Sequence, residues 1–304
     1  MRLVWRVLCR ISVAVLFLAP FAAVVAAPPA AAGETLSSER CLELFNEHDA
    51  DWQNVSYFPT LREPGKVCFR EGCRYRAYVA LYEATGDTQY LDRLIHRFDA
   101  FLRVRDDVTG RQDTARKRPM KSWGLQSRRL SGYHARLDLA CHVYAQIAGF
   151  VRLVRGDQAL VETYGHKADV YAAAIRESLA DFEADWRDGP GEGEGYYFEI
   201  ARGEPGSYEK QCMAGRTWLE LGLATGDAAA LDRARKVATL FRRRLSLADG
   251  AYDWEYRLVL EPAQRERSAR FNHAAASVEF ARACHENDIV FTEEDMERFC
   301  ATFL

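Results

Sequence analysis

The fold prediction rests on the stretch SGYHARLDLACHVYAQIAGFVRLVRG, which runs from Ser131 to Gly156. Its apolar residues recur at steps of three and four, as on one face of an amphipathic helix; they are Leu137, Ala140, Tyr144, Ile147, Val151 and Val154. His134, Asp138 and His142 follow one another at steps of four beside this face. The pattern predicts one long helix with a polar first turn.

A Gly-Asp pair follows this helix and recurs at a constant interval. The pairs at Gly86, Gly156 and Gly226 lie 70 residues apart, and each follows an apolar helical run. Glycine suits the left-handed residue that ends a helix, and aspartate suits the N-cap of the next helix. Each pair is therefore predicted to join the two helices of a hairpin.

Second helices are predicted at Tyr90 to Arg105, Ala159 to Trp186 and Ala228 to Leu247, and a fourth hairpin begins with HAAASVEF at His273. Long polar or aromatic segments separate successive hairpins. The sequence thus predicts an all-α fold in which tandem helical hairpins of about 70 residues form an incomplete α/α toroid. Short β-like segments are expected in the long loops.

The N-terminal residues differ in composition from the rest of the chain. Three arginines precede an apolar run from Ile11 to about Ala27, and small residues follow. This order is typical of a secretory signal peptide, which we place at residues 1–32; an uncleaved anchor is the alternative. Residues 33–304 are expected to form a single toroid-like domain that ends within its last helix.

This leader favours a secreted, periplasmic or cell-envelope location. No other stretch approaches the ~20 apolar residues of a membrane span, so no stable span is expected after cleavage. An exported protein can form disulfides, and Cys68 with Cys73 or Cys284 with Cys300 are candidate pairs.

The net charge argues against a nucleic-acid partner, and the spacing of potential ligand residues gives little support for a metal ion. The net charge of −3 becomes −6 when the three arginines of the leader are removed, and such an acidic protein is a poor nucleic-acid binder. His134, Asp138 and His142 have spacing that a metal site can use. Because no other residues indicate a metal, neither a metal nor a cofactor is predicted.

The loop before the long helix is basic, although the chain as a whole is acidic. It sets nine basic residues against three aspartates; they are Arg103, Arg105, Arg111, Arg116, Lys117, Arg118, Lys121, Arg128 and Arg129. Such a loop suits an anionic, ring-shaped ligand such as an acidic sugar chain. Arg116, Arg118, Lys121 and Trp123 are the candidate binding residues, and a solvated charge run is the alternative.

Two residue pairs at predicted helix starts are candidates for acid–base chemistry. Tyr133 and His134 can supply an acid and a base, and Asp138 would orient His134. Asn272 and His273 open the fourth hairpin in the same way, and an amide beside an imidazole suits a carboxylate whose adjacent proton is removed. The alternatives are an interior polar stripe for the first pair and a helix-capping role for Asn272.

An aromatic segment, DGAYDWEYR at residues 249–257, precedes the fourth hairpin. Its alternation predicts a short strand with Tyr252, Trp254 and Tyr256 on one side. Aromatic faces are platforms for sugar rings, and Asp253 or Glu255 can act as acid or base. Packing of these aromatics onto the helices is the alternative.

The hairpin spacing, the two helix starts and the aromatic segment make the chain resemble the α/α-toroid carbohydrate-active proteins from about Val67 to Leu304. This group includes uronate-polysaccharide lyases, glucuronyl epimerases and helical-hairpin glycosidases. The resemblance to the lyases implies three roles, which carry over to this chain as follows: Asn272 as carboxylate neutraliser, His134 or His273 as base, and Tyr133 or Tyr252 as acid.

The expected function is therefore that of a secreted protein that acts on or binds a uronate-containing polysaccharide or oligosaccharide. β-Elimination or C5 epimerisation is the first expectation. A glycoside hydrolase with a carboxylate pair drawn from Asp253, Glu255 and Glu279 is the second, and a non-catalytic carbohydrate-binding or scaffold homologue is the third. Whether the chain is an enzyme stays open at this point.

Overall fold

The structure is a computed structural model that describes residues 37–127, 130–258, 260 and 271–302, with the backbone alone at 271–273. These residues divide into two compact units. The first comprises 37–62 and Cys73–Val104, and the second comprises Glu63–Gly72 and 105–302. The leader expected at residues 1–32 lies outside the described residues, and the single domain expected at 33–304 stays a prediction.

Ten α-helices lie in the described part of the chain. They are α1 Ser38–Trp52, α2 Cys68–Thr85, α3 Gln89–Leu102, α4 Asp106–Thr109, α5 Leu137–Arg155, α6 Gln158–Asp181, α7 Tyr208–Thr225, α8 Ala228–Arg243, α9 Phe271–His285 and α10 Glu293–Thr302. The pairs α2/α3, α5/α6, α7/α8 and α9/α10 correspond to the four predicted hairpins. The prediction of tandem helical pairs is confirmed.

The Gly-Asp turns behave as predicted at most positions. Gly86 and Gly226 are left-handed, with φ of 72° and 68°. Asp157 and Asp227 cap the next helix, each accepting a backbone N–H, at 2.8 and 3.0 Å. Gly156 differs, because its φ is −82° and its N–H still bonds to carbonyls of the last turn of α5. A left-handed residue is therefore not needed to end that helix.

The core of the second unit is built around α5. All members of its predicted apolar stripe except Leu137 are fully buried. Phe150 of α5 contacts Tyr171 and Tyr164 of α6, with ring centroids 5.8 and 6.5 Å apart. On its other side α5 packs against α7, and α7 in turn packs against α9. The first helices of the second, third and fourth hairpins thus lie side by side, which holds the long loops that precede them close to one another.

Those loops contain short antiparallel strands, as predicted. They pair as β1 Gln112–Asp113 with β2 Arg118–Pro119, β3 Gly124–Gln126 with β4 Tyr133–Ala135, β5 Trp186–Asp188 with β6 Gly195–Glu199, β6 with β7 Glu204–Pro205, and β8 Ser246–Ala248 with β9 Ala251–Asp253. The strand predicted in the aromatic segment is shorter than expected, because β9 ends at Asp253 and leaves Trp254 and Tyr256 beyond it.

The start of the long helix differs from the prediction. The helix begins at Leu137 rather than at Ser131, because Tyr133–Ala135 forms β4. The backbone N–H of Tyr133 bonds to Thr114 Oγ1 at 2.9 Å, and that of Ala135 bonds to Asp113 Oδ2 at 2.8 Å. These partners in the preceding loop hold the segment extended, so it does not enter the helix.

The first unit has its own aromatic core. Phe45 of α1 lies edge-on to Tyr78 of α2 and Tyr90 of α3, with centroids 5.9 and 6.2 Å apart. Asp49 is fully buried beside them, where it accepts hydrogen bonds from Tyr78 and, at 2.8 Å, from Arg93. A buried carboxylate of this kind is stabilised only by such partners.

Two further sequence expectations concern membranes and cysteines. Of the described helices, α5 has the length and apolarity to cross a membrane, and 61% of its most apolar window is buried inside the protein, as in a core helix. The cysteines in the described ranges form no disulfide. Neither candidate pair is made, and Cys284 is buried whereas Cys300 is exposed.

Candidate active site

A cleft of about 60 Å³ opens in the second unit, between β4, the first turn of α5, the β6–β7 hairpin and the first turn of α7. Its lining carries eight charged or titratable side chains: Arg116, His134, Arg136, Asp138, Asp185, Glu199, Arg202 and Lys210. Arg116 and His134 belong to the site predicted from the sequence. Asp138 is also predicted beside His134, and the other five come from segments that the sequence does not place together.

Asp138 is a buried carboxylate on the first turn of α5. Arg136 donates two hydrogen bonds to it, from Nε to Oδ1 at 3.0 Å and from Nη2 to Oδ2 at 2.5 Å. Burial alone would raise the pKa of Asp138, but the positive charges of Arg136 and Lys210 outweigh burial and lower that pKa to about 2. Asp138 is therefore ionised at every physiological pH.

The β6–β7 hairpin brings a second carboxylate, Glu199, into the cleft. Glu199 accepts from Lys210 of α7, and Arg202 Nε lies 2.9 Å from it. Gln211 fastens the hairpin to α7, since its side chain accepts from the backbone N–H of Tyr197 at 2.7 Å and donates to the carbonyl of Tyr197 at 2.8 Å. The position of Glu199 is thus fixed by a helix.

Asp185, in the short 3-10 turn Glu183–Asp185, is the third carboxyl group of the cleft. It is 4% exposed, and one of its oxygens, Oδ2, accepts from Nη2 of Arg116. Burial raises the pKa of Asp185, and the positive charge of Arg116 offsets this only in part. Asp185 and Asp138 line the same cleft, yet their pKa values move in opposite directions.

His134 lies on β4 and is 5% exposed. Its Nε2 is 3.0 Å from the carbonyl oxygen of Ser131. Because a carbonyl only accepts, we assign the ring proton of the neutral imidazole to Nε2 and leave Nδ1 with a lone pair. Within the described part of the chain, His134 Nδ1, Asp185 Oδ1 and Arg116 Nε are buried polar atoms without a hydrogen-bond partner.

Tyr133 belongs to a different environment. Its hydroxyl donates to Asp106 Oδ1 at 2.7 Å, and the backbone N–H of Gly124 donates to Asp106 Oδ2 at 2.8 Å. Burial raises the pKa of Asp106 to about 7. Neither Tyr133 nor Asp106 lines the cleft, so the structure does not bring Tyr133 and His134 together as one acid–base pair. Asp138 does not orient His134 either, since it is bonded to Arg136.

Nearby acids pair with four basic side chains of the loop, those of Arg105, Arg116, Arg118 and Lys121. Arg118 pairs with Asp181 at 2.9 Å, and Lys121 pairs with Glu177 at 3.2 Å. Trp123 is fully buried and packs on Tyr144, with centroids 5.1 Å apart. Trp123 therefore has no face open to a ligand, and a ligand role for Arg118 and Lys121 stays a prediction.

The aromatic segment mostly packs on the helices, which was the alternative interpretation. Tyr252 and Trp254 are 6% and 4% exposed. The hydroxyl of Tyr252 donates to Asp295, and Trp254 lies edge-on to Phe299 with centroids 5.6 Å apart. Tyr256 is half-buried and is not among the residues that line the cleft, so a ligand role for it stays a prediction.

Further predicted groups are the carboxylates of the hydrolase alternative, of which Asp253 and Glu255 are half-buried, and the Asn272–His273 pair. The side chains of Asn272 and His273 lie outside the described residues. Glu279, a carboxylate of the hydrolase alternative, pairs with Arg216 at 2.9 Å. In the residues that the structure describes, no three His, Cys, Asp or Glu side chains are grouped so as to hold a metal ion.

The missed cleft residues left weak signals in the sequence. The run EIARGEPGSYEK at Glu199 to Lys210 alternates acids and bases around two glycines and a proline, which is typical of a charged turn. Nothing in that run indicates that it folds over the first turn of α5. The residues next to Asp185 in the sequence give no sign that it belongs to a site. Only its burial beside Arg116 in the structure identifies it.

No protein-family model matches the chain, and no curated protein matches it. Solved structures that it resembles include a UGL variant with dGlcA-Glc-Rha-Glc, at 15% identity and a TM-score of 0.52, over 87% of this chain and 67% of that one. Another is an unsaturated glucuronyl hydrolase from Bacillus sp. GL1, responsible for the degradation of glycosaminoglycan, at 14% identity and a TM-score of 0.47, over 86% and 68%.

The likeness to the UGL variant establishes the fold. The chain has the fold of α/α-toroid enzymes, so the predicted fold class and the resemblance to the α/α-toroid carbohydrate-active proteins are confirmed at that level. The incompleteness of the ring stays a prediction.

Proposed function

We propose that the chain is an enzyme that hydrolyses an acidic, glucuronyl-containing oligosaccharide in the cleft, with Asp185 as general acid and Asp138 as its ionised partner. The observation that carries the proposal is the separation of the two pKa values. Burial raises the pKa of Asp185. The positive charges of Arg136 and Lys210 outweigh burial at Asp138 and hold its pKa at about 2. Glycosidases use two carboxyl groups whose environments shift their pKa values in opposite directions. The group with the raised pKa acts as the general acid, and the other stays ionised and stabilises positive charge.

The charge of the cleft supports an anionic sugar. Four cationic side chains and three carboxyl groups line it, and with Asp185 protonated, as the proposal requires, two positive charges are in surplus. The cations are Arg116, Arg136, Arg202 and Lys210, and guanidinium groups suit a sugar carboxylate because they bind it with two parallel hydrogen bonds. The likeness to the UGL variant bound to dGlcA-Glc-Rha-Glc also supports an acidic oligosaccharide as the substrate.

The reaction assigns a separate task to each carboxyl group. Asp185, turned toward the bound sugar, gives its proton to the glycosidic oxygen, and the bond from that oxygen to the anomeric carbon breaks. Asp138 faces the positive charge that develops on the sugar ring and stabilises it. A water molecule then adds its hydroxyl to the anomeric carbon and returns a proton to Asp185, so the enzyme is regenerated.

Substitution of each carboxyl group by its amide tests the proposal. The substrate is an oligosaccharide with an unsaturated glucuronyl end. After hydrolysis the ring of the freed unsaturated sugar opens and its enol tautomerises to a keto acid, so the ultraviolet absorbance of the conjugated double bond is lost. Asp185→Asn is expected to lower kcat about 10²- to 10⁴-fold, because the general acid is lost. Asp138→Asn is expected to lower it about 10²- to 10³-fold, because a preorganised charge is lost.

The matched control is Asp169→Asn, an exposed aspartate on α6 whose side chain is 69% accessible, which should leave kcat unchanged. Full activity in Asp185→Asn would contradict the assignment of the acid. Tight binding of the oligosaccharide without turnover by the unmodified protein would support the non-catalytic alternative instead.

β-Elimination or C5 epimerisation stays the second candidate, and the state of His134 favours it. The lone pair on Nδ1 is the form that a base needs to remove the C5 proton of a uronate. Incubation with intact uronate polysaccharides separates the two reactions, since elimination creates ultraviolet absorbance whereas hydrolysis of the unsaturated end removes it.

Export forms part of the same proposal, because the leader at residues 1–32 would deliver the enzyme to polysaccharides outside the cytoplasm. Sequencing the N-terminus of the protein recovered outside the cytoplasm is expected to find the chain starting near residue 33. Recovery with residues 1–32 attached would indicate an uncleaved anchor.

A further inference from the structure

We infer that Arg116 and His134 together recognise one hydroxyl group of the sugar in the cleft, with Arg116 Nε donating to that hydroxyl and His134 Nδ1 accepting from it. The inference rests on the proposed function, since it takes the ligand to be a sugar. It adds a specificity-determining pair, which is distinct from the two carboxyl groups that carry the chemistry.

The orientation of Arg116 is fixed by groups on three sides. Nη2 donates to Asp185, Nη1 lies 3.4 Å from Asp113 Oδ2, and the guanidinium carbon lies 5.0 Å from the ring centroid of Phe182. Two of its nitrogens are thus occupied. Nε is the donor left over, and it is buried without a partner among the described residues.

The same aspartate ties Arg116 to the strand that carries His134. Asp113 Oδ2 accepts from Arg116 Nη1 at 3.4 Å and from the backbone N–H of Ala135 at 2.8 Å. Asp113 Oδ1 also accepts from the backbone N–H of Arg116 at 2.7 Å. The guanidinium therefore lies beside β4 at the residue next to His134, and both side chains line the cleft.

The tautomer of His134 defines what the pair can bind. The carbonyl of Ser131 holds the proton on Nε2, so Nδ1 is an acceptor. A hydroxyl group is donor and acceptor at once and satisfies both Nδ1 and the Nε–H of Arg116. A carboxylate does not, because its oxygens would face the lone pair of Nδ1. Buried polar atoms without partners are costly, so a ligand that supplies both partners is favoured over one that lacks the hydroxyl.

Binding of a hydroxylated sugar and of its monodeoxy analogues, measured by calorimetry, tests the inference. The unsaturated oligosaccharide and a set of analogues, each lacking one hydroxyl of the glucuronyl ring, are titrated into Asp138→Asn, in which turnover is slow. One analogue is expected to bind about 10- to 100-fold more weakly than the parent. In Asp138→Asn with His134→Phe, the parent and that analogue are expected to bind equally.

The ratio between the two ligands separates recognition from a structural effect, because a distorted cleft would weaken both ligands alike. His166→Phe, at an exposed histidine of α6, is the control and should retain the ratio. If His134→Phe keeps the ratio of the parent protein, or if every analogue binds as well as the parent sugar, the inference is wrong although the proposed function stands. Failure of the parent sugar to bind would reject the proposed function itself.

A second measurement covers the case in which His134→Phe does not fold. Nitrogen NMR of the ring in the unmodified cleft is expected to show Nδ1 unprotonated, with a resonance that moves when the parent sugar binds and does not move with the discriminated analogue. A protonated Nδ1 in the free protein, or equal shifts with both ligands, would overturn the inference.

Discussion

At the level of single residues, the protonation of each aspartate in the cleft depends on its neighbours rather than on its residue type. Asp138 and Asp185 are both aspartates, both buried, and each is bonded to one arginine. Asp138 has a second positive charge nearby, that of Lys210. Asp185 has an oxygen without a partner among the described residues. That difference keeps one carboxylate ionised and favours the proton on the other.

Removal of Arg116 should change the pH dependence of the reaction. Its positive charge lowers the pKa of Asp185, against the larger effect of burial. Arg116→Gln is therefore expected to raise that pKa further, so that Asp185 keeps its proton to higher pH. The alkaline limb of the kcat profile should therefore move to higher pH.

Arg118→Gln serves as the comparison for this prediction, since the ion pair of Arg118 with Asp181 involves neither cleft carboxyl group. It should leave the alkaline limb in place. A downward movement of the limb in Arg116→Gln would show that Asp185 is not the group that must be protonated.

At the level of elements, the helices were predictable from the sequence and the strand beside the cleft was not. The apolar stripe of α5 has the period of a helix and is read from neighbouring residues. The strand β4 depends on Asp113 and Thr114, which supply its hydrogen-bond partners from far earlier in the chain. Local spacing carries no information on such partners, so Tyr133 and His134 were placed on the helix and treated as one pair.

Packing between α7 and α9 should be sensitive at Gly215. A β-carbon there would lie 2.5 Å from Cζ of Phe280, which is fully buried and has no room to move. Gly215→Ala is therefore expected to lower the free energy of unfolding by about 1–3 kcal/mol, as measured by denaturant titration.

Gly149→Ala on α5 is the matched control, because a β-carbon there meets nothing within 4 Å. The higher helix propensity of alanine should make that variant up to about 1 kcal/mol more stable. Equal effects of the two substitutions would mean that α7 and α9 are not in the close contact described.

At the level of the whole molecule, the fold is retained at 15% identity to the UGL variant. Features that define the fold, such as a helical stripe and a turn between helices, tolerate many sequences. The cleft is different, because Asp138, Asp185 and Lys210 come from a helix, a turn and another helix. Their meeting depends on the packing of hairpins. The fold class is therefore predictable from the sequence, whereas among the charged or titratable cleft residues only Arg116, His134 and Asp138 are.

The stability of the whole protein should depend on the ionisation of Asp106. Its pKa in the folded state is about 7, raised by burial from 3.8, so the folded state favours the protonated carboxyl. This contribution to stability is fully present below pH ~4 and is lost as the pH rises through ~7. Asp106→Asn mimics the protonated group and avoids the loss, which amounts to about 4 kcal/mol at most.

The measurement for this prediction is the free energy of unfolding of the variant and the parent between pH 4 and pH 8. The free energy of unfolding of Asp106→Asn, relative to that of the parent, should increase as the pH rises, whereas the difference between Asp169→Asn and the parent should stay constant. If the relative stability of Asp106→Asn decreases toward pH 8, Asp106 is ionised at neutral pH with its hydrogen bonds intact.

The strand β4 has a consequence for how this site can change. Side chains of a strand point to alternate sides, and here one side faces Asp106 while the other faces the cleft. A single residue gained or lost just before Tyr133 would exchange the two. Tyrosine would then face the sugar and histidine the buried acid, although no helix had moved. The loop length before α5 can therefore act as a selector of the group that meets the ligand, and it offers a route to new specificity that leaves the core untouched.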